Sequence, residues 1–154
     1  MNSNHIKSTT ILLLLVALVY VMSACKSSAS ATSENIAFQT VFKDNFTPLQ
    51  EGCFVLNSAQ DFAQLKDENF IKRLSNRDLT NETLLVIVQK QRNSGGYSTE
   101  ITSVENKKTQ VVVNYKENSP AAGDMTSAAI TYPTVVVSLP KITKKVVFKN
   151  HAAR

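Results

Sequence analysis

Residues 83–90 read Thr83-Leu84-Leu85-Val86-Ile87-Val88-Gln89-Lys90. The run is almost wholly apolar and rich in β-branched side chains, without the alternation of a strand that has one wet face. Such a stretch predicts a central strand buried on both faces. The segments after it behave differently. From Tyr97 the chain alternates, with Tyr97, Thr99 and Ile101 against Ser98, Glu100 and Thr102. That is the period of a half-buried strand. Asn106-Lys107-Lys108 makes a tight turn, and 109–117 sets Val111, Val113 and Tyr115 on one face. The run at 129–140, Val-rich after Pro133, and the run at 141–149 supply two more strands. Pro133 predicts that the strand after it lies at an edge or follows a bulge.

Upstream, 36–43 reads as a first strand and 53–58 as a second. Ser58, followed three residues later by Asp61, forms a capping-box pattern. Ala59, Phe62, Ala63 and Leu65 then recur at helical spacing, so one short helix is expected near residues 58–66. Phe70, Ile71 and Leu74 extend it or form a second. The expected fold is mostly β, of the α+β class: an antiparallel β-sandwich or a partly open barrel with that one short helix.

The beginning of the chain has another character. Residues 11–21 are continuously apolar but too short to span a bilayer as a helix, which takes about 20 residues. With a start whose only positive side chain is Lys7, they fit a secretory signal. Met22-Ser23-Ala24-Cys25 resembles the lipobox of bacterial lipoproteins. The resemblance implies a signal at 1–24, cleavage after Ala24, and diacylglycerol on Cys25. It also implies attachment to a membrane on the exported side of the cell envelope. Residues 25–35, rich in Ser and Ala, read as a flexible tether. A single domain then occupies 36–150. With Cys25 lipidated, Cys53 has no partner in the chain, since these are its only two cysteines; it reads as a small buried hydrophobe.

The 154-residue chain carries a formal charge of +5. The excess gathers at Lys141, Lys144, Lys145, Lys149 and Arg154. In an exported chain this argues against nucleic acid as a partner; lysines on a last strand guard an open edge, with contact to anionic lipid or to an acidic protein face as the alternative reading.

Catalytic chemistry finds little support. The histidines are His5 and His151, the latter in what reads as a frayed tail, and there is no Trp. A zinc site needs about four N or S ligands, and no calcium loop pattern occurs. No metal, cofactor or catalytic residue is expected, and the protein is not read as an enzyme. Asn93-Ser94-Gly95-Gly96-Tyr97-Ser98 holds two of the chain's 4 glycines. It lacks the lysine and following helix of a phosphate loop and the strand-to-helix setting of a nucleophile elbow. It reads as a hairpin loop between strands, or as a binding loop.

Taken in order, several segments carry a family likeness. The apolar strand is followed by Gly95-Gly96-Tyr97, then Pro120 and Gly123, then Tyr132-Pro133 before a valine-rich strand. This series resembles the C-terminal domain of the PrcB-like protease complex subunit family over roughly residues 50–140, including Phe54–Leu65. The resemblance implies a non-enzymatic accessory lipoprotein that binds an exported protease and assists its stability or maturation. The residues that would meet the partner are Ser94, Gly95, Gly96, Tyr97, Tyr132 and Pro133. The Gly-Gly-Tyr loop is also similar, over a few residues, to loops of chagasin-like protease inhibitors. Direct inhibition, or an envelope- or carbohydrate-binding module, are the alternative readings.

Overall fold

The computed structural model describes residues 33–151. The signal at 1–24, Cys25 and the tether up to residue 32 lie outside the described residues. Eight strands, β1 (Glu34–Asn35), β2 (Gln39–Asp44), β3 (Gly52–Leu56), β4 (Glu82–Val88), β5 (Ser98–Asn106), β6 (Gln110–Asn118), β7 (Thr134–Pro140) and β8 (Lys145–Asn150), form two four-stranded sheets. One sheet has the order β1-β5-β6-β8 and the other β2-β7-β4-β3. The fold is a mostly β sandwich, and it is not a closed barrel.

The β2-β7-β4-β3 sheet is the middle layer. Leu85 and Ile87 of β4, with Val135, Val137 and Leu139 of β7, face Ile101, Val104, Val111 and Val113 of the other sheet. The opposite side chains of the same strands, Leu84, Val86, Val88 and Val136, pack under Leu49, Leu65, Phe70, Leu74 and Leu79. Every residue from Thr83 to Val88 is therefore buried, which is why no polar residue interrupts the run.

The layer over the second face is helical. A 3-10 turn spans Ala59–Gln64, and helix α1 spans Glu68–Leu74. The capping box forms, with the Asp61 carboxylate accepting the N–H groups of Asn57 and Ser58 at 2.8 Å each. The expected helix near 58–66 is thus present, but as a 3-10 turn. It ends at Gln64 with Leu65 as its cap, and the φ of 56° at Lys66 keeps the winding from continuing. Asp67 then caps α1 by accepting the Phe70 N–H at 2.7 Å. Phe70 and Leu74 of α1 are completely buried. Each contributes roughly 1.5–3 kcal/mol by leaving water.

Several boundaries differ from the reading of the sequence. The domain begins before Ile36: Glu34 and Asn35 pair with Asn106 and Glu105, and the Ile36 N–H reaches the Val104 carbonyl at 2.8 Å. The backbone ladder orders these residues, whatever their polar side chains suggest. β7 is an interior strand despite Pro133. Pro133 sits one residue before it and so removes no N–H from the ladder, and its carbonyl accepts the Gln89 N–H at 2.9 Å. β8 joins β6 in parallel, because the chain crosses between sheets to reach it. A bulge between Ile101 and Ser103 shifts the alternation of β5 by one residue, so the next buried side chain is Val104. Finally, His151 is not frayed. Its N–H donates to the Tyr115 carbonyl at 2.7 Å and extends the sheet past β8.

Candidate protein-binding site

β4 and β5 lie in different sheets. The segment 89–97 is therefore a crossing from one sheet to the other, and the hairpin expected there does not form. The segment 119–133 crosses back at the same end of the sandwich. A two-way bridge clips the crossings together: Arg92 N–H to the Thr131 carbonyl at 2.8 Å and Thr131 N–H to the Arg92 carbonyl at 2.9 Å. The Thr131 hydroxyl donates to the Ser94 carbonyl at 2.8 Å, and Gly95 N–H to the Ser127 carbonyl at 2.9 Å. The third loop of this end, 45–51, joins through the Tyr132 N–H, which reaches the Asn45 carbonyl at 2.8 Å.

The glycines answer to this packing. Gly96 has φ +86°, and a Cβ there would lie 3.0 Å from Pro120 Cβ and 3.1 Å from Thr126 Cγ2. Both the backbone conformation and the space demand glycine. At Gly95 a Cβ would meet only the Ser127 hydroxyl, at 2.5 Å, and that group can rotate. The Gly-Gly pair lets the chain approach its own second crossing.

Below the loops lies a polar brace. Gln89 is 2 % exposed. Its amide nitrogen donates to the Ser98 carbonyl at 2.7 Å and to the Thr99 hydroxyl at 2.9 Å. The Arg92 guanidinium lies 4.7 Å over the centre of the Tyr97 ring and pairs with Glu117 at 3.5 Å. Its buried Nε finds no partner among the described residues. Tyr132 donates its hydroxyl to Gln91 Oε1 at 3.1 Å.

All six residues expected to meet a partner are thus at one end of the molecule. Their access differs. Gly96 is exposed; Ser94, Gly95, Tyr97 and Tyr132 are half-buried; Pro133 is buried. A contact here would use Tyr132 and not the proline beside it.

The sequence reading passed over three side chains. Among the described residues the exposed large hydrophobics are Phe46 (73 %), Met125 (102 %) and Ile130 (57 %), and all three sit on the loops of this end. A lone exposed apolar side chain carries no message; these three share one end of the fold. Ala121–Ala128 is exposed throughout, so Met125 stands on an open loop. Phe46 is held more firmly. The Asp44 carboxylate accepts the N–H groups of Phe46 (2.7 Å) and Thr47 (3.0 Å) and pairs with Arg73. Burial pushes this carboxyl up, but those donors outweigh it and hold Asp44 down at about 2. The signal available in the sequence was Phe46, Met125 and Ile130 standing in turn-rich segments with no periodic apolar neighbours.

Elsewhere the polar groups are structural neighbours. Cys53 Sγ lies 3.9 Å from the Tyr115 hydroxyl. Burial raises the Cys53 thiol and, with the thiol's influence added, pushes Tyr115 up to about 12. The Asn114 amide donates to Ser103 at 2.8 Å and Glu105 at 2.7 Å, and its oxygen lies 2.9 Å from His151 Nε2. That arrangement assigns the Nε2 proton to His151. Among the described residues no three of His, Cys, Asp and Glu converge as metal ligands would.

Residues 83–140 match the model of the PrcB C-terminal family. The matched stretch runs from β4 to the end of β7 and takes in both crossings. Phe54–Leu65, where a likeness was also expected, lies outside it. Searches of curated proteins and of solved structures gave no match.

Proposed function

We propose that this chain is a non-enzymatic accessory subunit that binds an exported protease through the loop end of the sandwich. In this reading Phe46, Met125, Ile130 and Tyr132 supply the contact, and Cys25 carries the lipid that holds the subunit at the membrane. The partner's stability or maturation is what the contact serves. One observation carries the reading: the stretch similar to a protease-complex family is the stretch whose crossings build that end, and the exposed apolar side chains gather there. Aromatic residues and Met are enriched in protein interfaces. The alternative of direct inhibition asks for a loop that projects into an active site. Gly95 and Gly96 are instead backed against Ser127, Pro120 and Thr126, so the geometry favours a broad docking surface.

The test is crosslinking from a reactive residue placed at Ser94 in the membrane-anchored protein, followed by mass spectrometry. Recovery of a protease crosslinked at the loop end supports the reading. Crosslinks to no partner, or only to envelope polysaccharide, would sink it. Anchoring is tested separately with Cys25→Ala: an unchanged membrane-bound fraction removes the lipid from the account.

A further inference from the structure

β8 closes one flank of its sheet. It pairs with β6 on one side, and among the described residues nothing pairs with the other. An open edge presents a row of unpaired N–H and C=O groups that can template another strand. Along β8, Val146 and Phe148 point into the core between the sheets but stay half-buried, so the flank is not sealed. Lys145, Val147 and Lys149 stand on the other face, opposite Gln110, Val112 and Asn114 of β6. Beside them lies a shallow cleft of about 430 Å³, whose walls include Lys107, Lys149 and His151.

The cations here are not equivalent. Lys107 pairs with Glu105 at 3.1 Å. Lys144 donates to the Asn106 side chain at 2.6 Å and the Lys107 carbonyl at 3.0 Å. Lys145 and Lys149 are exposed and, among the described residues, belong to no ion pair. Lysines on an edge commonly repel association, and here they repel one partner in particular. If β8 of a second copy added antiparallel about Val147, Lys145 would face Lys149 at both ends. Like charges directly opposite one another are destabilising, whereas opposite charges attract. The spacing that excludes a second copy therefore selects a strand with acids at those two positions.

We propose that the outer edge of β8 accepts an extended segment of a partner polypeptide with the pattern acid, apolar, any residue, apolar, acid. Main-chain ladder bonds hold the segment. Its acids meet Lys145 and Lys149, and its apolar residues complete the cover over Val146 and Phe148. The pattern reads the same in both directions, so it serves a parallel or an antiparallel addition. This surface lies on the flank and outside residues 83–140, so it stands or falls apart from the loop-end reading.

The probe is a fluorescein-labelled peptide centred on Glu-Val-Thr-Val-Glu, with Lys-Val-Thr-Val-Lys as its counterpart. Each is titrated by anisotropy against the detergent-solubilised full chain. Saturable binding of the acidic peptide is expected, with slowed amide exchange along β8. Lys145→Glu with Lys149→Glu should weaken it about tenfold and bring binding of the lysine peptide instead. That gain distinguishes reversed charge from a variant that has merely unfolded. Equal binding of both peptides, binding untouched by the charge reversal, or no binding would overturn the proposal. So would concentration-dependent dimers protected at β8. Charge-dependent binding to phosphatidylglycerol vesicles without peptide binding would assign the edge to lipid and overturn it as well.

Discussion

Two crossings join the sheets at the loop end, and they are built in opposite ways. The short one, 89–97, is braced from below by Gln89, Arg92 and Glu117 and clipped by the bridge to Thr131. The long one, 119–133, is exposed from Ala121 to Ala128 and carries Met125 and Ile130 into water. The contrast separates two duties that a single loop rarely performs together. The short crossing fixes geometry, and the long one, seated on it, presents surface. Function on loops held by a rigid scaffold is the general arrangement.

The contrast breaks most readily from below. Gln89→Leu keeps the bulk but leaves the half-buried Ser98 carbonyl and the buried Thr99 hydroxyl without their donor. A loss of about 1–3 kcal/mol is expected, read from urea unfolding. Amide exchange should quicken at Gly95 and Thr131 before it does in β4. Equal quickening in β4 would mean that the brace belongs to the core and not to the crossing.

Gly96→Ala attacks the seat itself. The alanine would have to hold φ near +86° with its methyl 3.0 Å from Pro120. A left-handed backbone costs an L-residue about 1–2 kcal/mol, and the contact adds to that. Gly95→Ala should cost less, because the Ser127 hydroxyl can turn away. If the two substitutions destabilise equally, the positive φ of Gly96 is not what the position requires.

These two positions also mark where reading the sequence stops. Burial on both faces was legible in 83–88, because a middle strand must drop its polar residues and one with a wet face must keep them. The two glycines were legible as a special backbone site. What they approach was not, because Pro120 and Thr126 come near only after the chain has crossed to the other sheet and back. Paired strands and crossing strands look alike in a local pattern, and so 89–97 read as a hairpin. The exposure of Met125 and Ile130 was hidden for the same reason. An apolar residue in a loop announces whether it is covered only when its neighbours in space are known.

A smaller effect sharpens the third loop. Asp44 is held at about 2, below its ordinary 3.8, by the N–H groups of Thr47 and Phe46 and by Arg73, against the upward push of burial. A carboxyl depressed on folding contributes stability above its ordinary pKa, and that contribution disappears as pH falls through the folded value. Wild type should therefore exceed Asp44→Asn in stability at pH 7, with the gap narrowing below 3.8 and closing near 2. A gap that stays constant across this range would mean that the 45–47 turn holds without the charge.

The smallest effect on stability should come from the open crossing, and there the comparison is most exposed to failure. Met125→Ser with Ile130→Ser removes apolar surface already in water, so the unfolding midpoint should correspond to a change within about 0.5 kcal/mol. Exposed apolar side chains that serve an interface behave differently toward a partner. Truncating residues at the centre of a contact commonly costs more than about 1 kcal/mol of binding, so capture of the crosslinked protease should fall while the fold does not. Gln89→Leu would lower both together, since it loosens the seat on which the surface rests. Should the double variant instead destabilise the domain as much as Gln89→Leu does, the long crossing is part of the scaffold. The division between bracing and presenting would then be wrong.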